Sequence, residues 1–295
     1  MLYYKYTLKP ITPFSTYPAS DTVFGQICRM LEYSGEDMDK LLADYESEPF
    51  AVVSDMLLQG AGSAVLESKK HFDGNRADKV KEMKDRKKRK AENMTLIESV
   101  LNGRLNEKIP LTTFKTMQVV RNSISRDSGG TEKDNFSPYS VFETFYYNDV
   151  RFHLYAYIKD EYIELVTKAI TLMGEFGFGK DASIGKGRFL FEGIEECHVD
   201  NNKPYNAVYT LGNCVLEGLK CGNMYYDVCT RFGKHGGGER RPFKNPVVMA
   251  KQGALLFMRD IDKPYIGKAI KGLSYDEKTV HQGYSLYIPV EVKND

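Results

Sequence analysis

The sequence predicts an α+β protein in two parts: an N-terminal unit with a βαββαβ order of elements, and a C-terminal unit made mostly of short strands. Three observations carry this. A strand-period segment opens the chain and helix-period segments begin near Ser20 and Asp160. A charged stretch with little apolar periodicity splits the first unit. After Pro204 the apolar runs are short and punctuated by Gly and Pro. A length of 295 residues suffices for two modest domains, and 42% hydrophobic with 27% charged residues excludes a wholly disordered chain.

Leu2–Leu8 alternates Leu2, Tyr4, Tyr6 and Leu8 against Tyr3, Lys5 and Thr7, the period of a half-buried strand, which Pro10 and Pro13 end. Ser20 and Asp21 offer a cap and an acidic first turn to a helix whose Val23, Phe24, Ile27, Met30 and Leu31 recur at helical spacing, with Gly35 as its stop. A short helix from Asp37 to about Tyr45 and a buried strand at Phe50–Ser54 follow. Gly60 and Gly62 then break the pattern, and KVKEMKDRKKRKAENMTLIESVL reads as a solvated insertion. Order resumes at Phe114–Ser125. Gly129-Gly130 predicts a turn or hairpin tip, and Val141–Tyr147 and Arg151–Ile158 are strands. Asp160–Met173 is the clearest helix, with Ile163, Val166, Ile170 and Met173 on one stripe and Gly174 just past its end. A glycine loop leads into a strand at Gly187–Glu192. Without the insertion, this is the order of a ferredoxin-like domain. Short strands near Ala207–Leu216, Tyr225–Cys229, Val247–Phe257 and Ser285–Val292 make up the rest. The expected division is 1–195, with an insertion at about 60–112 and the glycine loop at 176–189, followed by 196–295.

Charge is segregated along the chain. The total is 41 basic against 40 acidic residues, but Lys69–Lys90 alone holds 11 Lys/Arg against four Asp/Glu, a local +7 that leaves −6 elsewhere. Glu32–Glu48 carries seven carboxylates and one lysine, and Arg231–Lys244 carries five cations and one carboxylate. The basic segments can supply a nucleic-acid face, and the acidic one is expected to be free for protein partners. The basic insertion reads slightly better as a solvated face than as a tracker of phosphates. The start, MLYYKYTLKPITPF, lacks signal-peptide layout and no apolar run approaches a membrane span, so a cytoplasmic protein with no membrane contact is expected. Five cysteines without a CxxC pair suggest free thiols rather than disulfides or a zinc ribbon.

The segment FGFGKDASIGKGRF, Phe176–Phe189, is the most informative. Gly177, Gly179, Gly185 and Gly187 permit positive φ and close backbone approach, and the loop offers N–H groups to an anion. It follows a helix, whereas a dinucleotide fingerprint precedes one. Five residues separate Gly179 from Gly185, and Gly187 follows Lys186, so a Walker phosphate loop fails as well. What remains is Lys180, Lys186 and Arg188 interleaved with Phe176, Phe178 and Phe189, a composition suited to a sugar-phosphate backbone or a stacked base. The plainer alternative is a tight helix-to-strand connection with no ligand.

These residues resemble the glycine-rich loop of the RAMP superfamily of CRISPR proteins. SDTVFGQICRML (Ser20–Leu31), RNSISRDSGG (Arg121–Gly130) and HQGYSLYIPV (His281–Val290) are similar to that family's first helix, its hairpin and its closing strand. Taken in this order, the four segments resemble the RAMP subunit of type III-A (Csm) effector complexes that caps the crRNA 5′ handle. The resemblance spans most of the chain apart from Gly60–Pro110. It implies two ferredoxin-like, RRM-like domains, the second strand-rich and degenerate. It also implies a non-catalytic RNA-binding subunit acting in antiviral defence by RNA-guided target recognition. Its partners would be the crRNA 5′ handle, the large signature subunit and a RAMP backbone subunit. The RNA-binding set it implies is Gly177, Gly179, Lys180, Ser183, Gly185, Lys186, Gly187 and Arg188, with Arg121, Asn122 and Arg126 from the hairpin. Where relatives often carry a basic residue ahead of the loop serine, this chain has Asp181-Ala182, which shifts phosphate contact towards Lys180 and Arg188.

The residues themselves add Arg231, Arg240 and Arg241 around HGGGERR, where glycines again admit a close ligand, and His281, which precedes Gly283-Tyr284. An exposed hairpin tip is the plainer reading of HGGGERR. His71, His153, His198, His235 and His281 form no recognisable acid–base pair, Cys214, Cys221 and Cys229 lack metal-ligand spacing, and no GxSxG or HExxH motif occurs. No cofactor and no metal are expected. The alternative function is a metal-independent CRISPR-repeat endoribonuclease, another RAMP branch; there the glycine loop lies near the C-terminus, whereas here more than a hundred residues follow Arg188. A protein-only scaffold whose loop grips a partner chain is a third.

Overall fold

The period-two stretch at the N-terminus forms a strand in the computed structural model, which describes residues 1–295 except 59–60, 64–92, 97–99, 102–107, 111–113, 123, 126–128, 132–137, 202–203, 235–242 and 293–295. The elements run β1 (Leu2–Pro10), α1 (Ser20–Tyr33), α2 (Met38–Leu42), β2 (Ala51–Leu58), β3 (Ala61–Ser63), β4 (Asn93–Leu96), β5 (Lys108–Pro110), β6 (Phe114–Arg121), β7 (Tyr139–Tyr146), β8 (Phe152–Ile158), α3 (Ile163–Phe176) and β9 (Phe189–His198). Then come β10 (Ala207–Thr210), β11 (Met224–Tyr225), β12 (Val228–Arg231), β13 (Val247–Ala250), β14 (Leu255–Leu256), β15 (Tyr265–Gly267) and β16 (Tyr284–Val290).

Strands β2, β8, β1 and β9 lie side by side, each antiparallel to its neighbour, with α1 and α3 in the two crossovers. This is the ferredoxin-like arrangement that the order of elements predicts. The insertion is more than a solvated excursion. Its segments β3, β4 and β5 extend the sheet beyond β2, supplying backbone partners to an edge that would otherwise be open. The basic stretch Lys69–Lys90 lies outside the described residues.

Both faces of the sheet are covered, so β1 is not half-solvated. Tyr6, fully buried, meets Thr167 of α3 at 2.9 Å. On the opposite face Tyr3 is equally buried, its hydroxyl donating to the carbonyls of Pro264 and Tyr287 at 2.8 and 3.0 Å. The second half covers that face with the sheet β11-β14-β10-β16-β15, while β12 and β13 form a separate ribbon. Beyond His198 no helix occurs among the described residues, which is the strand-rich, degenerate form expected. Gln282 ties the halves through the irregularity in β2 between Val53 and Met56: its side chain accepts from the Val53 amide and donates to the Val53 carbonyl at 3.1 and 2.9 Å.

Two local expectations are corrected. Ser20 does not cap α1. Ala19 is the cap residue and makes no side-chain bond, while the Ser20 amide donates to the Asp55 carboxylate at 2.8 Å. The acidic run Glu32–Glu48 is not wholly free for partners, because Asp39, Glu46 and Glu48 pair with Lys278, Lys271 and Lys159 of the same chain. All five cysteines are free. No helix among the described residues is long and apolar enough to cross a membrane.

Candidate functional site

The loop between α3 and β9 is built by its glycines. Gly177, Gly179, Gly185 and Gly187 all take left-handed φ values, between 71° and 93°. At three of them a side chain would collide: a Cβ at Gly177 would meet the Lys186 carbonyl at 2.3 Å, one at Gly187 the Phe178 carbonyl at 2.2 Å, and one at Gly179 the Thr16 side chain at 2.7 Å. Asp181 also sits at φ 68°, a conformation that short polar side chains tolerate.

The segment Ile11–Thr16, just after β1, is the seat of the loop. Lys180 and Arg188 donate their amides to the hydroxyls of Thr16 and Thr12 at 2.9 Å each, and the Gly187 amide bonds the Pro13 carbonyl at 2.9 Å. The same segment anchors the hairpin β6–β7 through paired backbone bonds between Phe14 and Thr144. Most loop amides are therefore spent holding the loop. Those of Gly179, Asp181, Ala182 and Ser183 have no partner among the described residues.

The hairpin brings Arg121 to the loop, where it meets Asp181 from 60 positions away in the sequence. Glu143 of β7 is 1% exposed and binds Lys186 at 2.7 Å and Arg121, while the other amino group of Arg121 binds Asp181 at 2.8 Å. Burial alone would raise the Glu143 carboxyl, but hydrogen bonds from Lys186 and Arg121 outweigh it and hold it below the usual carboxylate range. Lys180, Ser183, Arg188 and Asn122 are exposed. Of the interleaved rings only Phe176 is exposed; Phe178 and Phe189 lie in the core.

A second group forms at the junction of the halves. Arg231 donates to Asp21 at 2.8 Å and to the Thr22 hydroxyl at 2.6 Å. His281 is 7% exposed, with Nε2 4.0 Å from the same Asp21 carboxylate. Burial lowers its pKa against the pull of Asp21. Neither contact involves the glycine loop, and the burial of His281 takes it away from any exposed surface. Arg126, Arg240 and Arg241, with His71 and His235, lie outside the described residues.

The residues that sequence reasoning missed are Thr12, Thr16 and Glu143. An isolated carboxylate inside the apolar run VFETFYY is the signal that marks Glu143. Nothing in the sequence marks the threonines, which touch the loop from more than 160 positions away.

Solved structures share this architecture from end to end. A chain of a Csm1–Csm4 cassette in complex with AMPPNP superposes with a TM-score of 0.62 at 16% identity, covering 100% of both chains. A chain of the Csm3–Csm4 subcomplex in the type III-A CRISPR-Cas interference complex does so with 0.58 at 14%, covering 99% of this chain and 100% of that one. Csm4 is the component common to the two. The chain has the Csm4 fold. A third chain, from the Csm1–Csm4 cassette with pppApA, gives 0.61 at 14% over the full length of both. The Csm4 fold is thus retained at an identity where few side chains are shared. No family model matches the sequence, and no curated protein is significantly similar to it.

Proposed function

We propose that this chain is a non-catalytic RNA-binding subunit of a type III-A CRISPR effector complex. It holds the 5′ handle of the crRNA at the glycine loop and docks the large signature subunit and a RAMP backbone subunit. The observation that supports this reading most is the correspondence, over the whole length of both chains, with a fold solved in a cassette with Csm1 and a subcomplex with Csm3. The site is consistent with it: free amides at Gly179, Asp181, Ala182 and Ser183 lie in a loop that also carries the exposed Lys180 and Arg188. Phosphates take amide and cation contacts, and the exposed Phe176 ring offers a stacking surface for an unpaired base. In this reading Asn122, Arg126, Arg240 and Arg241 also contact the RNA. The chain then divides near residue 196, with the glycine loop in the first part and Arg240 and Arg241 in the second.

Titration of labelled handle RNA over a range of salt concentrations tests the loop. Lys180→Ala with Arg188→Ala removes two cations, so binding weakens and the salt slope becomes shallower by about 1.4, at about 0.7 per phosphate contact to a single strand. Unchanged affinity and slope sink the loop assignment. Repeat RNA incubated with the protein in EDTA stays intact; specific cleavage overturns the non-catalytic reading.

A further inference from the structure

We propose that Glu143 and Asp181 are positioning residues that cancel the charge of Lys186 and Arg121 beneath the glycine loop. The loop then engages RNA through its amides and the two exposed cations rather than as a uniformly basic surface. This rests on the RNA-binding reading above and deepens it.

Four basic residues gather here: Arg121, Lys180, Lys186 and Arg188. Two of them are already answered. The Lys186 amine lies 2.7 Å from Glu143 Oε2, and Arg121 bridges Glu143 and Asp181. The four-membered group is neutral, and its side chains are 15–25% exposed for Arg121, Asp181 and Lys186 and 1% for Glu143. At that burial the pairing is poorly screened by salt, so it persists where a surface ion pair would fade. Glu143 is fixed from below by its strand, which pairs with β6 at Met117 and meets Phe14 through the adjacent Thr144. Asp181 is fixed from above, at a left-handed corner whose carbonyl accepts from the Ile184 and Lys186 amides at 3.1 and 3.2 Å. A basic patch without these carboxylates would hold any polyanion. Cancelling two of its charges leaves recognition to directed contacts that depend on the shape of the bound backbone.

The competing role is a plain staple that fastens the hairpin β6–β7 to the loop. The two roles differ in sign. Cutting a staple loosens the loop, so binding weakens and the salt slope stays the same or becomes shallower. Removing a cancelling charge leaves the group at +1, so binding tightens and the slope steepens.

The experiment uses the full chain with Glu143→Gln and, separately, Asp181→Asn, which leaves the buried carboxylate in place should the first variant fold poorly. Binding of labelled handle RNA and of a scrambled RNA of equal length is followed over salt. Each variant is expected to steepen the slope by about 0.7, which adds an about 2.5-fold loss of affinity between about 50 and 200 mM salt. The gain at low salt is expected to be equal on both RNAs, because an added cation reads phosphate and not base. Binding by the parent chain with unchanged or shallower slopes in the variants overturns this proposal and leaves the RNA-binding reading intact. A parent chain that binds neither RNA overturns that reading, and the proposal with it.

Discussion

Gly185 and Gly187 share a left-handed backbone but differ in surroundings, and so separate two costs that a glycine avoids. A Cβ on Gly185 meets nothing within 4 Å, whereas one on Gly187 stands 2.2 Å from the Phe178 carbonyl. Gly185→Ala should therefore cost about 1–2 kcal/mol, the left-handed penalty alone. Gly187→Ala should cost roughly 2–5 kcal/mol, because displacing the Phe178 backbone adds an overpacking term of about 1–3. Urea unfolding midpoints of the two variants test this, and equal losses would show that the Phe178–Gly187 approach constrains nothing. At this scale the candidate site was only partly legible. The cations and glycines stand in one short segment and could be read there. Their carboxylate partner Glu143 is 43 positions from Lys186 and became visible only when the hairpin folded back.

At the scale of elements, α1 shows tertiary structure overriding a local signal. Ser20 and Asp21 read as a self-contained start, but the Ser20 amide is answered by Asp55 from β2, and the Ser20 hydroxyl accepts from the Asn213 amide at 2.9 Å. Asp55 is buried, and burial raises its pKa from an ordinary 3.8 to about 7, opposed by the Ser20 amide and reinforced by the nearby Asp21 charge. The sign follows from which state holds the proton. From about pH 4 to about 7 the unfolded chain gives up this proton while the folded chain keeps it, so stability falls as pH rises and levels off above 7, by roughly 4 kcal/mol in all. Asp55→Asn keeps an acceptor for the Ser20 amide and removes the titration. Its urea midpoint should exceed that of the parent at pH 8, with a gap that narrows by pH 5 and closes near pH 4; a gap that does not change with pH would rule out this account.

For the whole molecule, the two halves share one core. A single apolar cluster runs from Phe24, Tyr45 and Val53 to Tyr209, Tyr265 and Leu286, and Tyr45 meets Tyr284 with ring centroids 6.0 Å apart. Lysines of the second half reach back to the acidic run, though exposed pairs of this kind contribute about 0–1 kcal/mol each. The shared core dominates, so the chain should unfold in one transition. Its 20 tyrosines are present in both halves and there is no tryptophan, so tyrosine fluorescence and far-UV dichroism in urea report on the whole molecule. Coincident curves are expected; two separated transitions would show domains that fold independently.

The sequence by itself determined the order of elements, the ferredoxin-like plan of the first half and the glycine loop, because apolar periodicity and glycine's freedom act over a few residues. It did not determine what those elements face. The strand-period alternation put Tyr3 on a solvent side that the second half covers, and the insertion looked solvated although β3–β5 complete a sheet edge through backbone pairing, which no side-chain pattern announces. Charge was legible as a sum and a segregation along the chain. Only the tertiary structure decided which charges cancel, since a cation and its carboxylate meet through folding rather than through spacing: Lys186 with Glu143, Arg231 with Asp21, Lys278 with Asp39.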